Sequence, residues 1–142
     1  MPYKYIAYRM IGGRFLRGLK MLAVQDEILC SKTHEYVLEQ NGIYTIGLTD
    51  HFINKLGEIM FLELAEPNTT LVKGEAFGTI QGVDTSKDLY MPIGGTILEI
   101  NEDVVANYDS LHETTWLIKI ESATATQDSI DLFDYDDYIE EV

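Results

Sequence analysis

Residues 35–64 read EYVLEQNGIYTIGLTDHFINKLGEIMFLEL, and the grammar of this stretch decides the fold. Two apolar-rich runs, EYVLEQ and IYTIGL, meet at Asn41-Gly42. That dipeptide suits a type I′ turn, whose two central positions both need positive φ, so the stretch predicts a β-hairpin. Thr49 then stands where a helix N-cap belongs, ahead of DHFINKLGE. Phe52, Ile53 and Leu56 fall on one helical face, and Gly57 can end the helix. IMFLEL returns to a β-rich apolar run.

Further along the chain the same grammar repeats. LVKGEAFGTIQGV reads as a strand, a turn at Lys73-Gly74 and a second strand; LYMPIGGTILEIN reads as a strand, a Gly94-Gly95 turn and a strand. Pro92 confines its position to an edge or corner. NEDVVANYDSLHE reads as a short helix or loop. TWLIKIES alternates Trp116, Ile118 and Ile120 with Leu117 and Lys119, as a strand does. SATATQ reads as a linker. In DSIDLFDYDDYIEEV the spacing of Ile130, Phe133, Tyr138 and Ile139 allows a closing helix, although aspartate is a poor interior helix former. Six to seven short strands with tight Gly-containing turns predict a mainly β sandwich or barrel, with a short helix after the first hairpin and a possible C-terminal helix.

Charge divides the chain. Lys4, Arg9, Arg14, Arg17 and Lys20 precede the first acid, Asp26, whereas only five lysines accompany all 24 acids that follow. Residues 1–30 therefore read as a basic N-terminal arm, and residues 31–142 as one acidic domain with an acidic tail. The arm is Arg-bearing, acid-free and partly amphipathic, the composition of an organellar import segment. The competing expectation is an ordinary basic arm that docks on the acidic body in a cytoplasmic protein. A net charge of −14 argues against binding nucleic acid or an anionic membrane and fits docking to basic protein partners. No run of about 18 apolar residues exists, so no transmembrane span is expected.

Little in the sequence points to catalysis or metal. Cys30 is alone, so neither an internal disulfide nor a paired-cysteine metal or redox site can form. His34, His51 and His112 lack the spacing of a metal pair. Ser86 stands between Asp84 and Asp88 with no histidine near it in sequence. Asp134, Asp136 and Asp137 lack the spacing of a calcium loop. No nucleotide or hydrolase motif is present. The expectation is a chain that is not an enzyme, with no catalytic residues and no metal.

Taken in order, the motifs resemble those of the glycine-cleavage H-protein family. THEYV (33–37) resembles that family's T-H-E-W-V, and Tyr44–Leu64 resembles its T-x-G-I-T-x-H-A-Q-x-x-L-G-D-I-V-F-V-x-L. LVKGEAF (71–77) resembles V-x-x-G-E-x-F, DLYMPIGGTILEIN (88–101) resembles D-x-Y-x-P-x-x-G-x-x-x-x-x-N, and TWLIKI (115–120) resembles G-W-L-I-K-I. Each motif alone is weak; the ordered set is strong. The resemblance implies a barrel-sandwich hybrid of the lipoyl-domain type. It also implies a carrier whose lipoyl arm, on one lysine at a hairpin tip, shuttles an aminomethyl intermediate. The partners so implied are glycine decarboxylase, aminomethyltransferase and dihydrolipoamide dehydrogenase, or a larger organellar assembly, in a mitochondrial or similar matrix.

At the attachment hairpin the match breaks. The family reads E-S-V-K-A-x-S-D-x-Y where this chain reads QGVDTSKDLY (81–90). Aligning Val83, Asp88 and Tyr90 puts Asp84 at the lysine position, and a carboxylate cannot form the lipoyl amide. The expectation is an H-protein-like chain without lipoate, acting by binding through its barrel surface. Its alternative is a working carrier with the arm on Lys87, against a plain reading of Lys87 as a surface lysine beside Asp84 and Asp88. An exposed pair of that kind is worth about 0–1 kcal/mol. In a strand, an odd offset of three also turns the side chain to the other face.

Overall fold

Asn41 and Gly42 do hold positive φ, 55° and 83°, and they join β2 (Glu35–Gln40) to β3 (Ile43–Leu48) with Gln40 opposite Ile43. The computed structural model describes residues 28–112 and 114–141. The expectations for the basic arm lie outside the described residues, except at its end. Ile28–Cys30 form strand β1, paired with β2 on one side, so the sheet begins before the boundary that composition places at residue 30.

After β3 comes α1 (Asp50–Leu56). Thr49 caps it: its hydroxyl accepts the Phe52 N–H, and Phe52, Ile53 and Leu56 turn inward. The chain continues through β4 (Ile59–Leu64), β5 (Thr70–Leu71), β6 (Ala76–Gly82), β7 (Ser86–Tyr90) and β8 (Gly95–Ile100). α2 (Glu102–Ala106) and a 3-10 turn (Tyr108–His112) lead to β9 (Trp116–Glu121). With β10 (Phe133–Asp134) near the end of the chain, a sheet of seven strands runs β10-β1-β2-β3-β9-β8-β5, and a sheet of three runs β4-β6-β7. Every strand pair is antiparallel. This is the mainly β barrel-sandwich arrangement that the motifs imply, with its helices short.

The two sheets enclose one apolar core, to which Ile46, Leu48, Leu56, Ile80, Leu89, Ile97, Leu117, Ile118 and Ile120 contribute. In β9 the adjacent Leu117 and Ile118 are both buried, beside a register shift between Ile46 and Gly47 of β3.

The last twenty residues depart most from their sequence reading. The expected linker contains a helical turn, α3 (Ala125–Asp128), pinned from several sides. The Asp128 carboxylate accepts from Gly94 N–H at 2.9 Å and from Thr124 Oγ1 at 2.6 Å, while Lys73 donates to the Asp128 carbonyl and pairs with Asp131. These bonds hold the Asp128 carboxyl below its usual range, Thr124 first and Gly94 second. β10 (Phe133–Asp134) then pairs with β1, and α4 (Tyr135–Glu141) closes the described chain. Ile130, one of the four apolar positions of the tail, is 81% exposed, whereas Tyr138 is fully buried.

Candidate functional site

The hairpin of β6 and β7 carries the residues singled out by sequence. Gln81 pairs with Ser86, and Gly82 N–H donates to the Thr85 carbonyl at 2.8 Å, so Gly82–Thr85 form the tip. The tip is not free-standing. Asp84 N–H donates to the Leu56 carbonyl at 3.0 Å and Val83 N–H to the Glu58 carbonyl at 2.9 Å. α1 thereby gains a donor for one of its last carbonyls, which otherwise lack partners inside the helix. Two glycines permit this seating. Gly57 turns the chain with φ of 72°, and a Cβ there would stand 2.6 Å from the Asp84 carboxylate. A Cβ on Gly82 would collide with the Leu56 carbonyl.

Asp84 is exposed, as are Val83, Thr85, Ser86 and Asp88 around it. A carboxylate beside a helix C-terminus meets the negative end of the macrodipole, where a cation would be favoured by about 0.3–1 kcal/mol. Exposed Met60, Phe61 and Val83 share this end of the small sheet. The tip is thus an acidic projection with apolar side chains at its base and, at position 84, no amine.

Lys87 lies elsewhere. The reading of it as a surface lysine beside Asp84 and Asp88 is corrected: its side chain is 12% exposed and its ammonium pairs with Glu35, whose side chain is wholly buried. Glu35 is saturated. It also accepts from Ser31 Oγ at 2.9 Å, from Thr33 Oγ1, and from Tyr90 N–H at 3.0 Å. The Lys87 ammonium sits over the rings of Phe52 at 5.7 Å and Tyr90 at 5.5 Å. The pair ties β7 to the first residue of β2, with α1 alongside. Sequence reasoning missed this pairing. Glu35 and Lys87 are 52 residues apart, and only the THEYV motif marked Glu35 at all.

The histidines also resolve. His34 holds φ of 81° in the tight turn between β1 and β2, and it stacks on Phe52 at 4.7 Å. Its Nδ1 lies 2.7 Å from the Tyr138 hydroxyl, and Thr49 Oγ1 lies 2.7 Å from the same oxygen. His51 has a buried Nε2 without a hydrogen-bond partner. Among the described residues no group of three or more His, Cys, Asp or Glu side chains could hold a metal ion. Cys30 is buried, and desolvation, reinforced by Asp134, pushes its thiol up to about 12, so it is no nucleophile at neutral pH.

The glycine cleavage H-protein family profile matches residues 28–142. The chain belongs to that family. A glycine cleavage system H protein of Prochlorococcus marinus is 39% identical over 117 residues, which are 80% of this chain and 90% of that protein. Another, from Staphylococcus epidermidis, is 39% identical over 110 residues, 75% of this chain and 87% of its own. The crystal structure of a glycine cleavage system H protein from Mycobacterium marinum superposes with a TM-score of 0.73 at 21% identity, covering 83% of this chain and 98% of that one. At that identity the likeness is one of fold. Among the described residues of this H-protein family member no helix is long and apolar enough to cross a membrane. The lipoyl group that the family implies needs a primary amine on the tip, and the tip residues Gly82, Val83, Asp84 and Thr85 offer none. The tip does not fit the group.

Proposed function

We propose that this chain is an H-protein family member that carries no lipoyl arm and works by binding, through the barrel surface around its β6–β7 tip. The observation that carries the reading is Asp84: it stands exposed on the hairpin tip, at the position that alignment gives to the family's lysine. The surroundings suit docking. The tip is anionic, Met60, Phe61 and Val83 lie beside it, and the whole chain has a net charge of −14. Such a surface favours a partner with a basic patch, encountered by electrostatic steering. The partners that family membership makes natural are the other proteins of glycine cleavage. Among the described residues no side-chain arrangement is built for acid–base or nucleophilic work, in keeping with a partner to enzymes.

Energetics weigh against the alternative arm on Lys87. Forming an amide there would remove the charge that compensates buried Glu35. Removing one member of a buried pair costs about 3–5 kcal/mol, a large part of a small domain's stability. The ammonium is also committed to Glu35 and to the rings of Phe52 and Tyr90.

A lipoate–protein ligase assay tests the reading, with wild type, Asp84→Lys and Lys87→Arg compared side by side. The expected result is no modification of wild type and a gain of modification in Asp84→Lys. Modification of wild type that vanishes in Lys87→Arg would establish a displaced arm instead.

A further inference from the structure

The C-terminal helix is fastened to the barrel through a single fully buried side chain. Across Tyr135–Glu140 every residue is exposed except Tyr138, which is at 0%, although Tyr135 and Ile139 are somewhat shielded at 41% and 40%. Seven residues are too few for a helix to persist on its own strength. Asp136 and Glu140 repel at i,i+4, and the described part of the helix has no base. α4 keeps its place because Tyr138 fills a notch.

That notch has defined polarity. The phenol oxygen lies 2.7 Å from His34 Nδ1 and 2.7 Å from Thr49 Oγ1. Its ring meets His34 edge-on at 5.7 Å and 81°, and His51 at 6.1 Å and 90°. Thr49 Oγ1 already accepts the Phe52 N–H at 3.3 Å, and burial pushes the Tyr138 hydroxyl up to about 12, so the phenol keeps its proton. One arrangement satisfies every group. Thr49 donates to Tyr138, and Tyr138 donates to a bare Nδ1 on neutral His34.

We propose that α4 is a pH-gated latch: Tyr138 holds it on the barrel while His34 is neutral, and a proton on His34 Nδ1 releases it. Protonation turns the chain of donors around. His34 then donates to Tyr138, Tyr138 donates to Thr49, and the Thr49 hydroxyl, at 3% exposure, is left with a proton and no acceptor. The groups facing His34 mostly oppose its charge. Burial acts first, then Lys87 from β7; Lys55 and His51 from α1 add to these, and only Glu35 from β2 favours the cation. Together they hold His34 below its ordinary value.

The direction of the pH effect follows. With α4 released, His34 loses the share of its burial that α4 supplies, while Lys87, Lys55 and His51 stay in place, so its pKa rises toward that of an ordinary histidine without reaching it. The released form therefore binds the proton more tightly. The latch is at full strength above the pKa of the released form and weakens as pH falls through and below it, by at most about tenfold per pH unit for one proton. Release would uncover the His34 and His51 rings that Tyr138 now meets edge-on, next to the Lys87–Glu35 pair. The chain would thus present these rings only in mildly acidic conditions.

Hydrogen exchange on the full-length protein between pH 7.5 and 5.5, corrected for intrinsic rates, reads this out. The α4 amides should lose protection by up to about tenfold per pH unit while those of β3 and β9 do not. His34→Asn keeps a side-chain acceptor near the Nδ1 position, tolerates positive φ, and should abolish the pH dependence. Tyr138→Phe should leave α4 unprotected at every pH. α4 protection that follows β3 throughout, or a pH dependence that persists in His34→Asn, would overturn the proposal.

Discussion

Asp84 and Lys87 lie three residues apart on one hairpin and live in opposite surroundings. Asp84 stands in water on a tip held to the barrel through its backbone, so its side chain is free to be almost anything. Lys87 lies against the barrel, its ammonium committed to a carboxylate with no exposed surface and to two aromatic rings. In this molecule the residue in reach of a partner enzyme lacks the amine, and the residue with the amine is out of reach. Proximity in sequence therefore misleads. A modification site requires the chemical group and its exposure at the same position.

The contrast can be broken most sharply at the buried pair. Lys87→Ala strips Glu35 of its counter-charge and should cost about 3–5 kcal/mol in urea unfolding. A loss below about 1 kcal/mol would mean that Lys87 is an ordinary surface lysine after all. Gly57→Ala forces a Cβ into left-handed backbone and against the Asp84 carboxylate, and should cost about 1–2 kcal/mol. Combining it with Asp84→Gly should recover part of that loss, because the clash with the carboxylate disappears while the Val83 contact and the backbone strain stay. Thr49→Ala removes the α1 cap together with a contact to Tyr138, for about 1 kcal/mol by the same measurement. Asp84→Asn, at the exposed end of the comparison, should move stability by no more than about 0.5 kcal/mol.

Local signals in the sequence were reliable where local physics decides. Asn41-Gly42 needs nothing beyond its own φ preference to place the first hairpin, and Thr49 needs only the next three residues to cap α1. The tip likewise followed from ordered motifs, since QGVDTSKDLY fixes its own register. What the sequence hid depends on distant partners. Glu35 and Lys87 pair across 52 residues, and Tyr138 reaches His34 and Thr49 across 104 and 89. The tail shows why apolar spacing alone falls short there. Ile130 is more hydrophobic than tyrosine but is left outside, while Tyr138 is buried because its hydroxyl finds two partners. A phenol can be buried at little cost when its oxygen is bonded. β1 was hidden for a related reason: three residues make a strand only when β2 and β10 flank them.

The most direct test of the central claim is the intact mass of the protein purified from its own cells, with peptide mapping across residues 82–90. An unmodified peptide, with Lys87 bare, is the predicted result. A lipoyl increment located on Lys87 would contradict it and would make the chain a carrier with a displaced arm.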